Sequence, residues 1–175
     1  MYFIALVAPG EINTQVLKWK HFMKEHFGCS VALRSPAHIT LLPPFWLEDT
    51  KEIELQQILG SFTSDIAELE IQLDGFSHFG NRVLFVKVRE NLALEQLRNQ
   101  TENHFIQSFT DVIKKENRPF HPHITIANRD LKPGGFEKAW EHFSKKEFKE
   151  AFRAKKISLL KLNAGTWDVI NEKNW

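Results

Sequence analysis

The sequence predicts an α+β fold of two similar lobes arranged around a pseudo-two-fold axis. The tripeptide His-Ile-Thr occurs twice in the 175 residues, at positions 38–40 and 123–125. The order strand, helix, His-Ile-Thr strand, helix also occurs twice, at an offset of about 80 to 85 residues. Because no flexible linker or low-complexity segment separates the halves, we expect residues 1–175 to form a single domain of two intertwined lobes.

The chain opens with a predicted strand and a predicted long helix. Residues 2–8 are a continuous apolar run, which is typical of a buried strand, and Pro9-Gly10 turns the chain. Apolar residues then recur at the helical period until Gly28, a residue type that favours helix ends. These apolar residues are Ile12, Val16, Trp19 and Met23. Residues 31–33 are predicted to form a short strand.

The first His-Ile-Thr copy lies in an apolar run bounded by prolines. Residues 36–43 are Pro-Ala-His-Ile-Thr-Leu-Leu-Pro, and Pro43-Pro44 should end this strand because proline cannot donate to a sheet. A helix is predicted over residues 49–62. Two strands are predicted within residues 66–79, joined at Asp74-Gly75, a dipeptide favoured in hairpin turns.

The second half of the chain repeats this order of elements. Phe136, Trp140 and Phe143, for example, are spaced i, i+4 and i+7, as on the apolar face of a helix. The predicted elements are a strand over 83–88, a helix over 91–115, the second His-Ile-Thr strand within 120–127, a helix over 134–146 and strands near 150–163 and 166–170.

Each His-Ile-Thr copy presents an imidazole and a hydroxyl on one side of its strand, because residues i and i+2 point to the same face. If the two motif strands meet at the pseudo-two-fold axis, four polar groups share one cleft: His38, Thr40, His123 and Thr125. Two imidazoles can move protons, and two hydroxyls can stabilise an oxyanion. These groups suffice for cleavage of a phosphodiester without a metal, so we expect no metal and no other cofactor.

Two other interpretations compete with the catalytic one. A histidine on a strand is often only a packed core residue, which makes one motif copy a weak signal and two copies in matching places a stronger one. In addition, His121-Pro-His123 places two imidazoles on one strand face and, together with His38, could imitate a metal site. Metal sites need about three well-placed ligands, yet no Cys or carboxylate lies near either motif apart from Asp130.

The motif residues resemble the two-histidine (2H) phosphoesterase superfamily, which includes the bacterial RNA 2′,3′-cyclic phosphodiesterases, also named 2′-5′ RNA ligases. Its paired His-x-Thr-hydrophobic signature is matched by residues 38–41 and 123–126. Pro-Pro-Phe at 43–45 is similar to the family's turn after the first motif. Residues 118–123 are similar to its approach to the second motif, and residues 79–88 to its central strand, which an aromatic residue precedes.

The resemblance implies a bilobal 2H-phosphoesterase-like fold of mainly antiparallel strands, with helices outside and a central cleft. It implies a hydrolase in which one neutral histidine takes a proton from water and one protonated histidine gives a proton to the departing ribose oxygen. Thr40 and Thr125 would hold the phosphate oxygens. Which of His38 and His123 is the acid stays open, and the resemblance also allows a reverse RNA ligase activity.

Substrate-binding residues are predicted from the same resemblance. Aromatic side chains stack on nucleobases and arginines contact phosphates, whereas core packing is the competing interpretation for any single Phe. The candidates are Phe45, Phe79, Arg82, Arg118, His121 at the pocket rim, and Arg129. Family members often carry an Arg at the position of Asn128, one residue earlier than Arg129. Because a one-residue slip along a strand reverses the side chain, contact between Arg129 and the phosphate requires a local bulge.

Composition narrows the class of partner. A net charge of +1 gives no support for binding of duplex DNA, which favours strongly basic surfaces. Cys29 is the only cysteine, the apolar run at the N-terminus has no basic segment before it, and no apolar stretch has membrane-spanning length. We therefore expect a cytoplasmic monomer that acts on a small cyclic phosphodiester or an RNA 3′ end, without membrane contact.

The sequence leaves two alternatives to hydrolysis of RNA ends or nucleotides. One is a 2H hydrolase of another small cyclic phosphodiester. The other is a module that binds RNA ends or nucleotides without turnover. Both histidines and both threonines are present, which favours an enzyme, since binding alone does not require two proton-transfer groups.

Overall fold

The computed structural model describes the backbone of residues 1–175 and every side chain except that of residue 133. Within these residues the chain forms eight strands and four α-helices. The strands are β1 (Tyr2–Val7), β2 (His38–Phe45), β3 (Leu69–Phe79), β4 (Val83–Val88), β5 (His123–Ala127), β6 (Lys149–Ala154), β7 (Lys156–Asn163) and β8 (Thr166–Asn174). The helices are α1 (Gly10–Phe27), α2 (Glu52–Ser61), α3 (Leu92–Ser108) and α4 (Pro133–Ser144).

The strands form two four-stranded antiparallel sheets, with the orders β2-β1-β7-β8 and β5-β4-β3-β6. Both His-Ile-Thr strands are edge strands. Their registers also correspond, since His38 is opposite Val7 in the first sheet and His123 is opposite Lys87 in the second. The α+β fold with two similar lobes, predicted from the repeat, is therefore confirmed.

The helices cross between the lobes. Helix α1 connects β1 to β2 but packs on β5 of the other sheet, and α3 connects β4 to β5 but packs on β2. Ile39 and Ile124, which lie between the His and Thr of each motif, point the opposite way and are fully buried. One continuous cluster of buried apolar side chains includes residues of both sheets, so the two motif strands are held in place from the same core.

Strand β2 continues through Pro43-Pro44 to Phe45, so the prediction that the prolines end it is wrong. The pairing of β2 with β1 shifts in register between the Tyr2–Phe45 and Ile4–Leu42 pairs. An irregular edge strand can accommodate residues that lack an N–H. The predicted short strand at residues 31–33 is also wrong, because Val31–Arg34 forms a 3-10 helix.

Residues 69–79 form one strand and not two. Asp74-Gly75 makes a bulge instead of a hairpin: the register shifts between Leu73 and Phe76, and Gly75 has a φ of 69°, which favours glycine. Helix α3 ends at Ser108 and not near residue 115, because the chain turns there and buries Phe109 in the core. The strand predicted near residues 150–163 is wrong, because this segment forms two strands, β6 and β7, which belong to different sheets. The other predicted helices and strands are confirmed within a few residues of their ends.

An ion pair on α3 fixes the segment that leads to the second motif. Arg98 and Glu102 are buried, with Nη2 and Oε1 3.1 Å apart, and Glu102 Oε1 also accepts the backbone N–H of Glu116 at 2.7 Å. Replacing Glu102 by Ala leaves the guanidinium buried without its partner. We expect this substitution to lower the free energy of unfolding by about 3–5 kcal/mol.

Urea titration of the Glu102→Ala variant measures this loss. Glu95→Ala on the exposed side of the same helix is the control and should cost less than about 1 kcal/mol. An equal, small loss in both variants would show that the buried pair does not stabilise the fold.

In the part of the chain that the structure describes, no helix combines the length and the apolar character needed to span a membrane.

Candidate active site

His38 and His123 are held by the same local hydrogen bond. His38 Nδ1 lies 2.8 Å from the carbonyl oxygen of Pro36, and His123 Nδ1 lies 2.7 Å from that of His121. A carbonyl oxygen can only accept, so Nδ1 of each ring carries the proton. Nε2 is then the nitrogen of each ring that remains for proton transfer to a bound molecule.

The electrostatic surroundings keep both rings neutral at neutral pH in the free protein. Burial first, and then the charges of Lys20 and His123, lower the pKa of His38 to about 4, against the hydrogen bond to Pro36, which raises it. Burial and the charge of His121 also lower the pKa of His123. Since the charge on His123 affects His38, the two imidazoles belong to one electrostatic site.

One cavity of about 850 Å³ joins the two motifs. His38, Thr40 and Thr125 line its wall, so groups from the edge strands of both sheets meet there. His123 lies against Phe79, another residue of the wall, with ring centroids 4.9 Å apart and the rings perpendicular. The structure therefore brings the four candidate catalytic residues together, as the repeat predicts.

Aromatic side chains from the neighbouring strands pack on the two imidazoles. Phe3 of β1 lies 4.9 Å from His38, and Phe85 of β4 lies 5.0 Å from His123, measured between ring centroids. These contacts restrict rotation of the imidazoles and add to their burial. The sequence gives little sign of this role, because both Phe residues belong to apolar strands in which any aromatic is expected to be core.

The cavity wall is positively charged. Arg34, Arg82 and Arg129 line it, no carboxylate does among the described side chains, and none of these arginines forms a salt bridge within the described residues. Arginine without an acidic partner at a cavity wall attracts anions. Arg82 and Arg129 are predicted from the sequence, whereas Arg34 is not.

Arg129 reaches the cavity because β5 ends at Ala127. The pairing of β5 with β4 shifts in register between Phe85–Thr125 and Leu84–Ala127, a bulge-like irregularity of the kind that this contact requires, and both Asn128 and Arg129 line the wall beyond it. The Asn128 Oδ1 atom is buried and has no hydrogen-bond partner among the described residues. Asp130, the residue after Arg129, accepts the backbone N–H of Val31 with its Oδ2 atom at 2.8 Å. This hydrogen bond connects the loop to the 3-10 helix at Val31–Arg34.

The structure corrects the prediction for Phe45. This side chain is 7% exposed and packs in the core, with its ring centroid 6.3 Å from that of Tyr2. It does not line the cavity, so core packing describes its role. The period-2 alternation agrees with this burial, because Phe45 lies on the same face of β2 as the buried Ile39 and Leu41, whereas the prediction of base stacking rests on the resemblance.

Arg118 also lies away from the cavity wall. Its guanidinium is exposed and bonds to the carboxylate of Glu116, with Nε 3.1 Å from Oε1, and this contact lowers the pKa of Glu116 to about 2. The prediction that Arg118 contacts a bound phosphate is thus not supported by its position. Arg118 is therefore already paired with the carboxylate of Glu116, two residues earlier in the same loop.

His121 is exposed at the rim, with its ring centroid 6.2 Å from that of Phe79. The competing interpretation makes it a metal ligand beside His38 and His123. Among the described residues, no group of three or more His, Cys, Asp or Glu side chains is arranged to hold a metal ion. This position matches the role of a pocket-rim residue that the sequence predicts for His121.

Two His-x-Thr pairs on the facing edge strands of two antiparallel sheets are the arrangement of a two-histidine phosphoesterase. The sequence profile of the 2′-5′ RNA ligase superfamily matches residues 8–166, and the chain belongs to this superfamily. An RNA 2′,3′-cyclic phosphodiesterase from Bacillus subtilis (strain 168) is 31% identical over 103 residues. That match covers 57% of this chain and 55% of the relative, so the chain spans about half the length of this curated protein.

Solved structures show the same fold. Escherichia coli LigT in complex with 3′-AMP superposes with a TM-score of 0.70 at 22% identity, over 99% of this chain and 96% of LigT. The protein TT0787 of Thermus thermophilus superposes with a TM-score of 0.70 at 18% identity, with the same coverage of both chains. The 2H-phosphoesterase-like fold implied by the resemblance is therefore confirmed.

Proposed function

We propose that this chain is a cytoplasmic, monomeric, metal-independent phosphodiesterase that hydrolyses a cyclic or 2′-linked phosphodiester on RNA ends or nucleotides. One observation carries the proposal: both motif histidines donate Nδ1–H to the carbonyl two residues earlier, which leaves two equivalent Nε2 atoms for proton transfer. The name of the Bacillus relative and the 3′-AMP bound to LigT support the same substrate class.

The proposed reaction transfers two protons across the phosphate. Nε2 of a neutral histidine accepts a proton from the attacking water, whose oxygen forms the new bond to phosphorus. The bond between phosphorus and one ribose oxygen breaks, and the other histidine, protonated at Nε2, gives its proton to that oxygen. The product is a phosphate monoester with a free ribose hydroxyl. Exchange of one proton with solvent then restores both rings.

Thr40 and Thr125 donate their hydroxyl hydrogens to the non-bridging phosphate oxygens in this proposal, as negative charge develops there. Arg82 and Arg129 attract the anion, and Phe79, which is 39% exposed at the cavity, stacks on the base. If a ribose hydroxyl replaces water as the nucleophile, the same transfers form a diester, which is the proposed reverse RNA ligase activity.

Exhaustive treatment with EDTA should leave the hydrolysis rate unchanged, because His and Thr side chains do not supply the carboxylate ligands that a Mg²⁺ site requires. The assay compares initial rates on a nucleoside 2′,3′-cyclic phosphate before and after chelation. A protein incubated with EDTA and then dialysed is the control for inhibition by the chelator. Complete loss of activity, with recovery on Zn²⁺ or Mn²⁺, would instead support His121 as a ligand.

A panel of substrates tests the proposed substrate class. It contains nucleoside 2′,3′-cyclic phosphates, short RNAs with 2′,3′-cyclic ends, 2′-5′-linked dinucleotides and cyclic phosphates of nucleotide sugars. The proposal expects the highest kcat/KM on RNA ends or nucleotides. Turnover restricted to the nucleotide-sugar cyclic phosphates would favour the alternative 2H hydrolase.

A further inference from the structure

Lys20 is a buried lysine without an acidic partner. It lies on α1, its side chain is 2% exposed, and it forms no salt bridge within the described residues. Lysine is almost never fully buried unless it is paired, because the ammonium group loses its hydration. Its place in the core therefore requires another explanation.

The ammonium of Lys20 binds the segment that leads into the first motif. Nζ donates to the carbonyl oxygen of Ser35 at 2.9 Å and to that of Pro36 at 3.4 Å. Asn13, seven residues earlier on the same face of α1, accepts the backbone N–H of Ala37 at 2.7 Å. Helix α1 thus holds all three residues that precede His38.

One carbonyl oxygen joins Lys20 to His38. The oxygen of Pro36 accepts from Lys20 Nζ and also from His38 Nδ1, at 2.8 Å. A carbonyl that already accepts from an ammonium is a weaker acceptor for a second cation. The positive charge of Lys20 also opposes a positive charge on the imidazole directly.

Lys20 is charged at neutral pH even though burial lowers its pKa to about 8. Below that pKa the Lys20 side chain is a charged ammonium group. This charge is one of the causes that lower the pKa of His38 to about 4, and burial of His38 is the larger cause. The corresponding position behind His123 differs. His123 donates to the carbonyl of His121, and no lysine is among the causes of its pKa shift.

The other charged groups near His38 act on both histidines or cancel each other. Arg34, Arg82 and Arg129 line the cavity that the two motifs share, while Lys20 does not. The α3 pair of Arg98 and Glu102, on the helix that packs on β2, has no net charge. The groups that surround His38 are Lys20 from α1, His123 from β5, the three arginines of the wall, the Arg98–Glu102 pair from α3, and apolar Phe3 and Val7 from β1.

We infer that Lys20 is a positioning residue that holds the Pro36 carbonyl, and with it the His38 ring, and keeps that ring neutral. His38 is then the general base that takes the proton from water, and His123 is the general acid that protonates the ribose oxygen. The acid and base roles rest on the proposed function. The effect of Lys20 on His38 does not.

The first test is the dependence of kcat/KM on pH for a nucleoside 2′,3′-cyclic phosphate. Lys20→Met should move the low-pH limb upward by about one pH unit and leave the high-pH limb in place, because loss of the cation makes His38 easier to protonate. Lys20→Arg, which keeps charge and donors, should restore a profile close to wild type. Lys18→Met, at an exposed position on the same helix, is the matched control and should not shift either limb.

A folded Lys20→Met variant with unchanged limbs would overturn the inference, because a purely structural lysine would change the rate without changing the profile. Movement of the high-pH limb alone would overturn the assignment of His38 as base. The two limbs report the coupled pair of histidines, so the shift is compared between variants and not converted to a single-site value.

The second test requires no turnover. Long-range ¹H–¹⁵N spectra of the imidazoles in the wild-type protein should show His38 as the neutral Nδ1–H tautomer between about pH 5 and pH 8. In Lys20→Met, His38 should titrate at higher pH. A wild-type His38 that is protonated near pH 6, or a titration that Lys20→Met does not move, would overturn the inference.

These spectra also separate the two proposals. If the protein does not hydrolyse cyclic phosphates, the proposed function fails while the spectra still report on Lys20 and His38. If Lys20→Met does not fold, the same titration is made on Lys20→Gln, which keeps a hydrogen-bond donor without the charge, and a His38 titration that does not move relative to the wild-type protein would overturn the inference.

Discussion

Replacing His38 or His123 by Ala is expected to lower kcat on a nucleoside 2′,3′-cyclic phosphate by about 10²–10⁴-fold. Each ring supplies one proton transfer through Nε2, and the Nδ1 hydrogen bond that orients it is present on both sides of the cavity. The two losses should not add fully in the double variant, because residues that act as a unit are not independent. Stopped assays on purified variants measure the effect.

The remaining activity of each variant identifies the missing role. Loss of His38 should remove the low-pH limb of the rate profile, and loss of His123 the high-pH limb. His21→Ala is the control, since His21 is exposed on α1 and does not line the cavity. Near wild-type turnover in the single variants, with folding intact, would show that the motif histidines do not carry the chemistry.

Replacing Thr40 or Thr125 by Ala is expected to lower kcat by about 10²–10³-fold, the usual loss when one donor to a developing oxyanion is removed. Both hydroxyls line the cavity and come from opposite sheets, so each reaches the phosphate from its own side. The pH profile should keep both limbs, because a hydroxyl does not titrate in this range. Thr→Ser substitutions should recover most of the rate.

Thr63→Ala is the matched control, because Thr63 is exposed and does not line the cavity. A rise in KM with kcat unchanged would mean that the threonines bind substrate and transition state equally. In that case the threonines contribute to affinity and the proposed oxyanion role is excluded.

The paired motifs could be placed from the sequence because their signal is local. His38 and Thr40, like His123 and Thr125, are two residues apart in apolar runs, and the strand period puts each pair on one face. The equivalent position of each run in a repeated order of elements then places both at the axis. The structure places His38, Thr40 and Thr125 on the wall of one cavity, with His123 against the wall residue Phe79, and it confirms the fold that this pattern predicts.

The residues behind the motifs could not be placed in the same way. Lys20 lies on the buried face of α1, four residues after Val16, but the spacing does not show that its ammonium meets the carbonyl oxygens of the segment before His38. Arg34 directly follows residues 31–33, which are predicted as a strand, whereas a 3-10 helix over Val31–Arg34 turns it to the cavity. Both outcomes depend on tertiary packing, which no periodicity encodes.

Phe45 and Arg118 show the limit of transferring a local resemblance to single side chains. Both lie in segments that match the flanks of the family motifs, yet one is packed in the core and the other pairs with Glu116. The segment that flanks a motif determines the path of the backbone near the site. The direction of each side chain depends on the strand face, which is the buried face of β2 for Phe45, and on the nearest opposite charge, which is Glu116 for Arg118.

Conversion of a nucleoside 2′,3′-cyclic phosphate, followed by ³¹P NMR in the presence of EDTA, shows whether the paired histidines catalyse hydrolysis without a metal. The wild-type protein should convert the cyclic diester signal to that of a monoester, and the His38→Ala/His123→Ala protein should not. Binding of the cyclic nucleotide without conversion by the wild-type protein, or equal conversion by the double variant, would contradict the account and leave a nucleotide-binding module in its place.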